Sequence, residues 1–139
     1  MGAESVSTIG LVGPMSNYAA PPQLVENVPY HDIRAMHDFA RQWRDEHRGK
    51  WFTARKLSGF CLLMKRIVYD KIGGLDERFG IGLFDDDDLA ERARRAGFEL
   101  AVAHDLFVHQ SHATPRSRKK RKSDHVGIER RSTKPVANR

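Results

Sequence analysis

Apolar and β-branched residues first gather at Ser7–Val12 (STIGLV), a short run closed by Gly13-Pro14 that predicts a buried strand ending in a loop. The loop from Gly13 to Val28 is polar and proline-rich. Ile33, Met36, Phe39, Ala40 and Trp43 then recur at three- and four-residue spacing. That pattern predicts a helix with one apolar stripe, starting near Asp32 and fraying around His47 to Gly49. Trp51–Leu57 reads as an edge strand. Gly59–Met64 (GFCLLM) is continuously apolar between Ser58 and Lys65-Arg66, which predicts a central strand buried on both faces. Arg66–Ile72 suits a short helix whose end is marked by Gly73-Gly74, because glycine most easily takes the left-handed conformation that follows a helix. Leu75–Phe84 reads as a glycine-spaced loop. Asp85–Ala96 (DDDDLAERARRA) carries acids in its first turn, arginines in its last and Gly97 just beyond, so both ends agree with a helix macrodipole. Leu89, Ala93 and Ala96 share one face of that helix. Phe98–Ala103 and Leu106–His109 read as two further short strands, and after Thr114 the apolar pattern stops.

The alternation of strand and helix over residues 1–114 predicts an α/β domain, with too few strands for a complete doubly wound sheet. The chain of 139 residues is long enough for one packed domain and too short for two. Its net charge of +6 is unevenly spread. Residues 115–139 hold 10 basic and 2 acidic residues, leaving 14 basic and 16 acidic in the remainder. The body is therefore nearly neutral, and the basic excess assigns nucleic-acid or membrane-surface binding to no part of it. The tail, with Arg116, Arg118, Lys119, Lys120, Arg121 and Lys122, has too few apolar residues to offset the entropy of ordering it, and is expected to be disordered. Cys61 is the sole cysteine, which excludes an intramolecular disulfide and a cysteine-rich zinc site, and fits a reducing compartment. The uncharged run Ser5–Val25 has the length of a membrane span, but Pro14, Pro21, Pro22, Asn17 and Gln23 would leave polar backbone unsatisfied in hydrocarbon. With no Lys or Arg before Arg34, the chain reads as soluble, without a cleaved targeting segment.

Candidate chemistry concentrates in two places. Four consecutive aspartates, Asp85–Asp88, oppose one another electrostatically, whereas capping a helix needs only one of them. Either the run complements the positive end of the helix, or a carboxylate there faces a cleft as a general base or a metal contact. His104, His109 and His112 lie around the last apolar strand, where an imidazole could be a metal ligand or a satisfied, half-buried side chain.

Ile9–Gln23 (IGLVGPMSNYAAPPQ), Gly59–Phe84 (GFCLLMKRIVYDKIGGLDERFGIGLF) and Asp85–His109 together resemble the later part of bacterial family-two glycosyltransferases, inverting enzymes with a GT-A fold. The resemblance lies in the order of parts. An apolar strand leads to a basic pair, Gly-Gly-x-Asp-Glu-x-Phe and a glycine-spaced loop. An acidic cluster with Asp-Leu and then Arg follows, then Ala-Gly and a strand ending in Val-His. In that family the cluster usually reads Glu-Asp-x-Asp-Leu, and its second acid deprotonates the acceptor hydroxyl. By position this implies Asp86 as the catalytic base, with Asp85 in place of the usual Glu and Asp88, Leu89 and Arg92 matching. Val108-His109 matches the family's Val-His, which implies His109 beside a metal-diphosphate, and Gln110 stands where a second histidine is frequent. Asn17 is expected on a loop bordering the cleft. Asp85, Asp88, Arg92 and Asn17 are accordingly expected to bind substrate.

The resemblance implies a partial GT-A-like (Rossmann-like) mixed sheet flanked by helices over residues 1–114. Nothing before Ile9 matches the family's nucleotide-binding half with its Asp-x-Asp metal motif, and the chain departs from the family after His109. The parent reaction would be inverting transfer of a sugar from a nucleotide-sugar donor to a glycan or other hydroxyl acceptor. A divalent cation (Mn or Mg) is expected for the complete enzyme, and the isolated chain is expected to be inactive. A cytoplasmic location is implied, at most peripheral to the membrane face, with self-association through an exposed sheet edge. The alternative is a noncatalytic module that holds nucleic acid or another polyanion through the Lys119-Lys120 cluster, although no aromatic residues interleave there for base stacking.

Overall fold

A computed structural model describes residues 8–76, 78 and 85–111. The basic tail, His112 and most of the Leu75–Phe84 loop lie outside the described residues. Among the described residues, four strands and three helices follow one another as β1 (Ile9–Met15), α1 (Ile33–Glu46), β2 (Trp51–Ala54), β3 (Leu63–Met64), α2 (Arg66–Ile72), α3 (Asp85–Arg95) and β4 (Glu99–Phe107). They form a mixed α/β structure around one sheet of order β2-β4-β1-β3. β1 and β4 run parallel at its centre, while β2 and β3 flank them antiparallel.

The first strand does not stop at Gly13-Pro14 but continues through both to Met15. Successive residues of a strand turn their polar groups to opposite sides. Met15 O accepts from Val108 N at 2.9 Å beyond the end of β4, and Gly10 O accepts from Lys65 N at 2.9 Å beside β3. Pro14 therefore faces the β3 side, where the two-residue β3 no longer reaches, and its missing N–H breaks no ladder. The Gly59–Met64 segment also departs from expectation: only Leu63–Met64 is strand, at an edge, with Leu63 72% exposed. Its apolar run has the composition of a buried strand, but Gly59 and Phe60 turn the chain instead. The two strands expected after Phe98 are one. β4 is continuous, and its irregularity shows in the register, where Pro14 pairs with Ala103 but Met15 pairs with Phe107.

The helices follow the sequence closely. Asp32 caps α1 by accepting from Ala35 N at 2.8 Å. Of the predicted stripe, Phe39, Ala40 and Trp43 pack against the core, whereas Ile33 is 73% exposed. Phe107 meets Phe39 edge-on at 4.9 Å between centroids, and Trp43 Nε1 donates to His104 O at 2.7 Å, which fixes α1 on β4. α3 buries Leu89, Ala90 and Ala93. It closes with Phe98 N donating to Ala93 O and Gly97 N to Arg94 O, both at 3.0 Å, around Gly97 at φ +88°. Leu11, Leu100 and Val102 of the central strands, Val68 of α2 and these α3 residues form one core cluster with Leu57. Among the described residues no helix is long and apolar enough to cross a membrane.

Two outcomes test this packing. A Cβ at Gly10 would lie 2.7 Å from Val68 Cγ2 and 2.9 Å from Phe98 Cβ, so Gly10→Ala should lower unfolding stability by about 1–3 kcal/mol through overpacking, read from the urea midpoint. His104 lies 4.4 Å from His47 between ring centroids. Its pKa is lowered by burial, then by the charges of His47 and Lys50, with Asp105 opposing. The folded state thus disfavours the imidazolium, and stability present above about pH 6.5 should fall as the pH drops below it. The urea midpoint of His104→Gln should change less than that of the parent between about pH 7.5 and about pH 5.5.

Candidate active site

Because β1 and β4 are parallel neighbours, their carboxyl ends lie side by side, the usual location for a ligand crevice in an α/β sheet. The segments leaving them are tied together. Asn17 Nδ2 donates to Gln110 O at 3.1 Å and Asn17 Oδ1 accepts from Gln110 N at 2.8 Å, so one side chain pairs with a backbone as a strand would. Beside this tie opens a cavity of about 680 Å³, bordered by Tyr18 and Ala20 after β1, by Ser58, Gly59 and Phe60 of the turn before β3, by Gln110 after β4, and by Asp85 and Asp86 at the start of α3. The resemblance-derived base thus faces an open space that can take a sugar-sized molecule.

The four aspartates divide into two pairs. Asp87 meets Lys56 Nζ at 3.5 Å, and Asp88 Oδ2 accepts from Arg92 Nε at 2.7 Å, one helical turn along. Arg92 also donates to Ile72 O at 2.6 Å and to Gly74 O at 2.7 Å, so its guanidinium holds the end of α2 against α3. Asp85 and Asp86 have no such cationic partner among the described residues. Asp85 Oδ1 accepts from Asp86 N at 3.1 Å, and Asp86 Oδ1 accepts from Asp87 N at 3.0 Å, within the first helical turn. Asp86 Oδ2 accepts from Gly59 N at 3.3 Å, across the cavity wall.

The other expected site residues are dispersed. Asn17, Asp88 and Arg92 do not border the cavity; each instead holds a segment that does or that supports it. His109 borders a different cavity, of about 330 Å³, with Tyr30, Asp32, Met36 and Ser111. Its Nδ1 lies 2.7 Å from the Tyr30 hydroxyl, and burial raises the Tyr30 pKa, so the phenol keeps its proton and donates when the imidazole carries its own on Nε2. Among the described residues no three His, Cys, Asp or Glu side chains gather as a metal cage. His109 offers one imidazole apart from the carboxylates, which does not match the oxygen-rich shell that Mn or Mg prefers. Among the described residues, the donor set does not by itself make a site for a divalent ion. His104 packs edge-on against Trp43 and Phe52 and tilted against His47, away from both cavities.

Sequence reasoning alone did not single out Gly59, Tyr18 or Gln23, whose roles depend on which loops the sheet brings together. The one available signal was Gln110, standing where the resemblance has a second histidine.

No protein-family model matches the chain. No solved structure matches it. Over 80 aligned residues, 55% of the chain, it is 34% identical to the proteins named N-acetylglucosaminyl-diphospho-decaprenol L-rhamnosyltransferase in Mycobacterium tuberculosis strains CDC 1551 / Oshkosh and ATCC 25618 / H37Rv. The chain spans about a quarter of the length of these relatives, 24%. Over that stretch it is similar to a glycosyltransferase.

Proposed function

We propose that the chain forms the acceptor-side part of a family-two, GT-A-type inverting glycosyltransferase, which moves a sugar from a nucleotide-sugar donor to a hydroxyl acceptor. One observation carries this reading: Asp85 and Asp86, which have no cationic partner among the described residues, open a helix onto a cavity at the carboxyl ends of two parallel strands. Partial identity to a rhamnosyltransferase supports the reaction class.

The acceptor hydroxyl would enter the cavity and donate its hydrogen bond to Asp86. As the hydroxyl oxygen attacks the anomeric carbon from the side opposite the leaving diphosphate, Asp86 takes its proton, and the configuration inverts. Gly59 N–H and the start of α3 hold the carboxylate in place. Asp85 accepts a second acceptor hydroxyl at the cavity wall, while Asn17 and the Asp88–Arg92 pair act by keeping the walls in register.

In the complete enzyme, Asp86→Asn should lower turnover by about 10²–10⁴-fold, since the amide keeps the size and one of the two accepted hydrogen bonds but takes no proton. Asp87→Asn should cost several-fold at most, because Asp87 faces Lys56. Steady-state transfer rates with one acceptor compare the two. Equal and mild effects would leave the run as a helix-end charge cluster, and a larger loss at Asp87 would place the base one residue later.

A further inference from the structure

Gln23 is 1% exposed, and with Ser16 it makes up the buried polar residues among those described. Both ends of its side chain are used. Nε2 donates to Pro14 O at 2.9 Å, satisfying the carbonyl that faces the side where β3 has ended, and Oε1 accepts from Ser58 N at 2.8 Å. Its backbone is fixed as well, with Gln23 O accepting from Ser16 N at 2.8 Å and Gln23 N donating to Ala20 O at 3.1 Å. Gly13 makes room for it: a Cβ there would lie 2.7 Å from Nε2. The next amide after Ser58 is that of Gly59, which donates to Asp86 Oδ2. Gln23 and Asp86 also border one small cavity of about 80 Å³ at the Leu57–Ser58 segment.

These contacts form a line from the central strand to the carboxylate: Pro14 O, the Gln23 amide, Ser58 N, then Gly59 N and Asp86. A turn held only by its own backbone would let the Gly59 N–H swing. A buried amide bonded at both ends confines it, because breaking either bond leaves a buried polar group unpaired. We infer that Gln23 is a positioning residue for Asp86, fixing through Ser58 the Gly59 N–H that orients the carboxylate toward the cavity. The inference rests on the reading of Asp86 as the base, but its test does not.

The test follows the Gly59 amide resonance of the ¹⁵N-labelled 139-residue chain across the carboxylate range, about pH 3 to about pH 7. The amide should show a titration step that Asp86→Asn abolishes. In Gln23→Met, which keeps the side-chain length and removes both hydrogen bonds, the step should shrink about threefold or more while the other amide shifts mark a folded chain, since this bond weakens steeply with misalignment. A step of undiminished size in folded Gln23→Met overturns the inference, as does the absence of an Asp86-dependent step in the parent chain. Should Gln23→Met fail to fold, Gly13→Ala decides. Its Cβ displaces only the Nε2 end of a flexible side chain, and a reduced step supports the positioning role while an unchanged one refutes it. Since no sugar transfer is measured, loss of the glycosyltransferase reading leaves this result standing, and an unchanged step leaves that reading untouched.

Discussion

Parallel pairing of β1 with β4 is the constraint on which the rest of the molecule depends. Two parallel strands must end at the same edge of a sheet, so every segment leaving that edge is brought within reach of the others. The Asn17–Gln110 pair extends the contact past the last ladder bond, and Val108 N on Met15 O closes the gap between them. α3 precedes β4 through a glycine end that reverses the chain sharply, so the helix returns with its acidic start at the same edge. The cavity is thus a consequence of strand direction, and the chemistry within it is a consequence of which residues begin α3.

Electrostatics at that helix start resolves by division. Four carboxylates in one turn are tolerable because two are neutralised, one by Lys56 before β3 and one by Arg92 a turn further along α3 itself, and because the first-turn N–H groups present positive charge to the rest. Arg92 has a second task. Its three contacts join Asp88, Ile72 and Gly74, so the cation that quiets the cluster also seats α2. A lysine could not span those three acceptors with one planar fork.

How much of this was legible in the sequence varies with the range of the interaction. The ends of α1, α2 and α3 were readable because caps are local: Asp32 before α1, Gly73 after α2, and the acids, arginines and Gly97 of α3 act within a turn of their own position. Placement in the sheet was not readable, because the same apolar run GFCLLM serves a buried central strand or a turn and a short edge, and only the partners decide. Pro14 read as a strand end for a sound reason, and was accommodated by a side on which no strand competes. The acidic cluster was visible as composition, but the split into a pair engaged by cations and a pair facing the cavity required Lys56, distant in sequence. The resemblance implied His109 and Asp86 in one site, and the structure sets them against different cavities.

The order in which the central strands occur along the chain bears on how the molecule is made. β1 is the first described strand and β4 the last, so Leu11 finds its partner Leu100 only after the residues between them have been synthesised. Closing so long a loop costs entropy before the pairing rewards it, and sheets dominated by distant parallel contacts fold slowly. β2 and β3 flank β4 and β1 respectively, and β2 has no partner in the sheet until β4 emerges. A nascent chain halted before Glu99 would hold helices and one weak antiparallel pair, with Leu11, Leu89 and Ala93 uncovered. Such a species is the kind that chaperones engage.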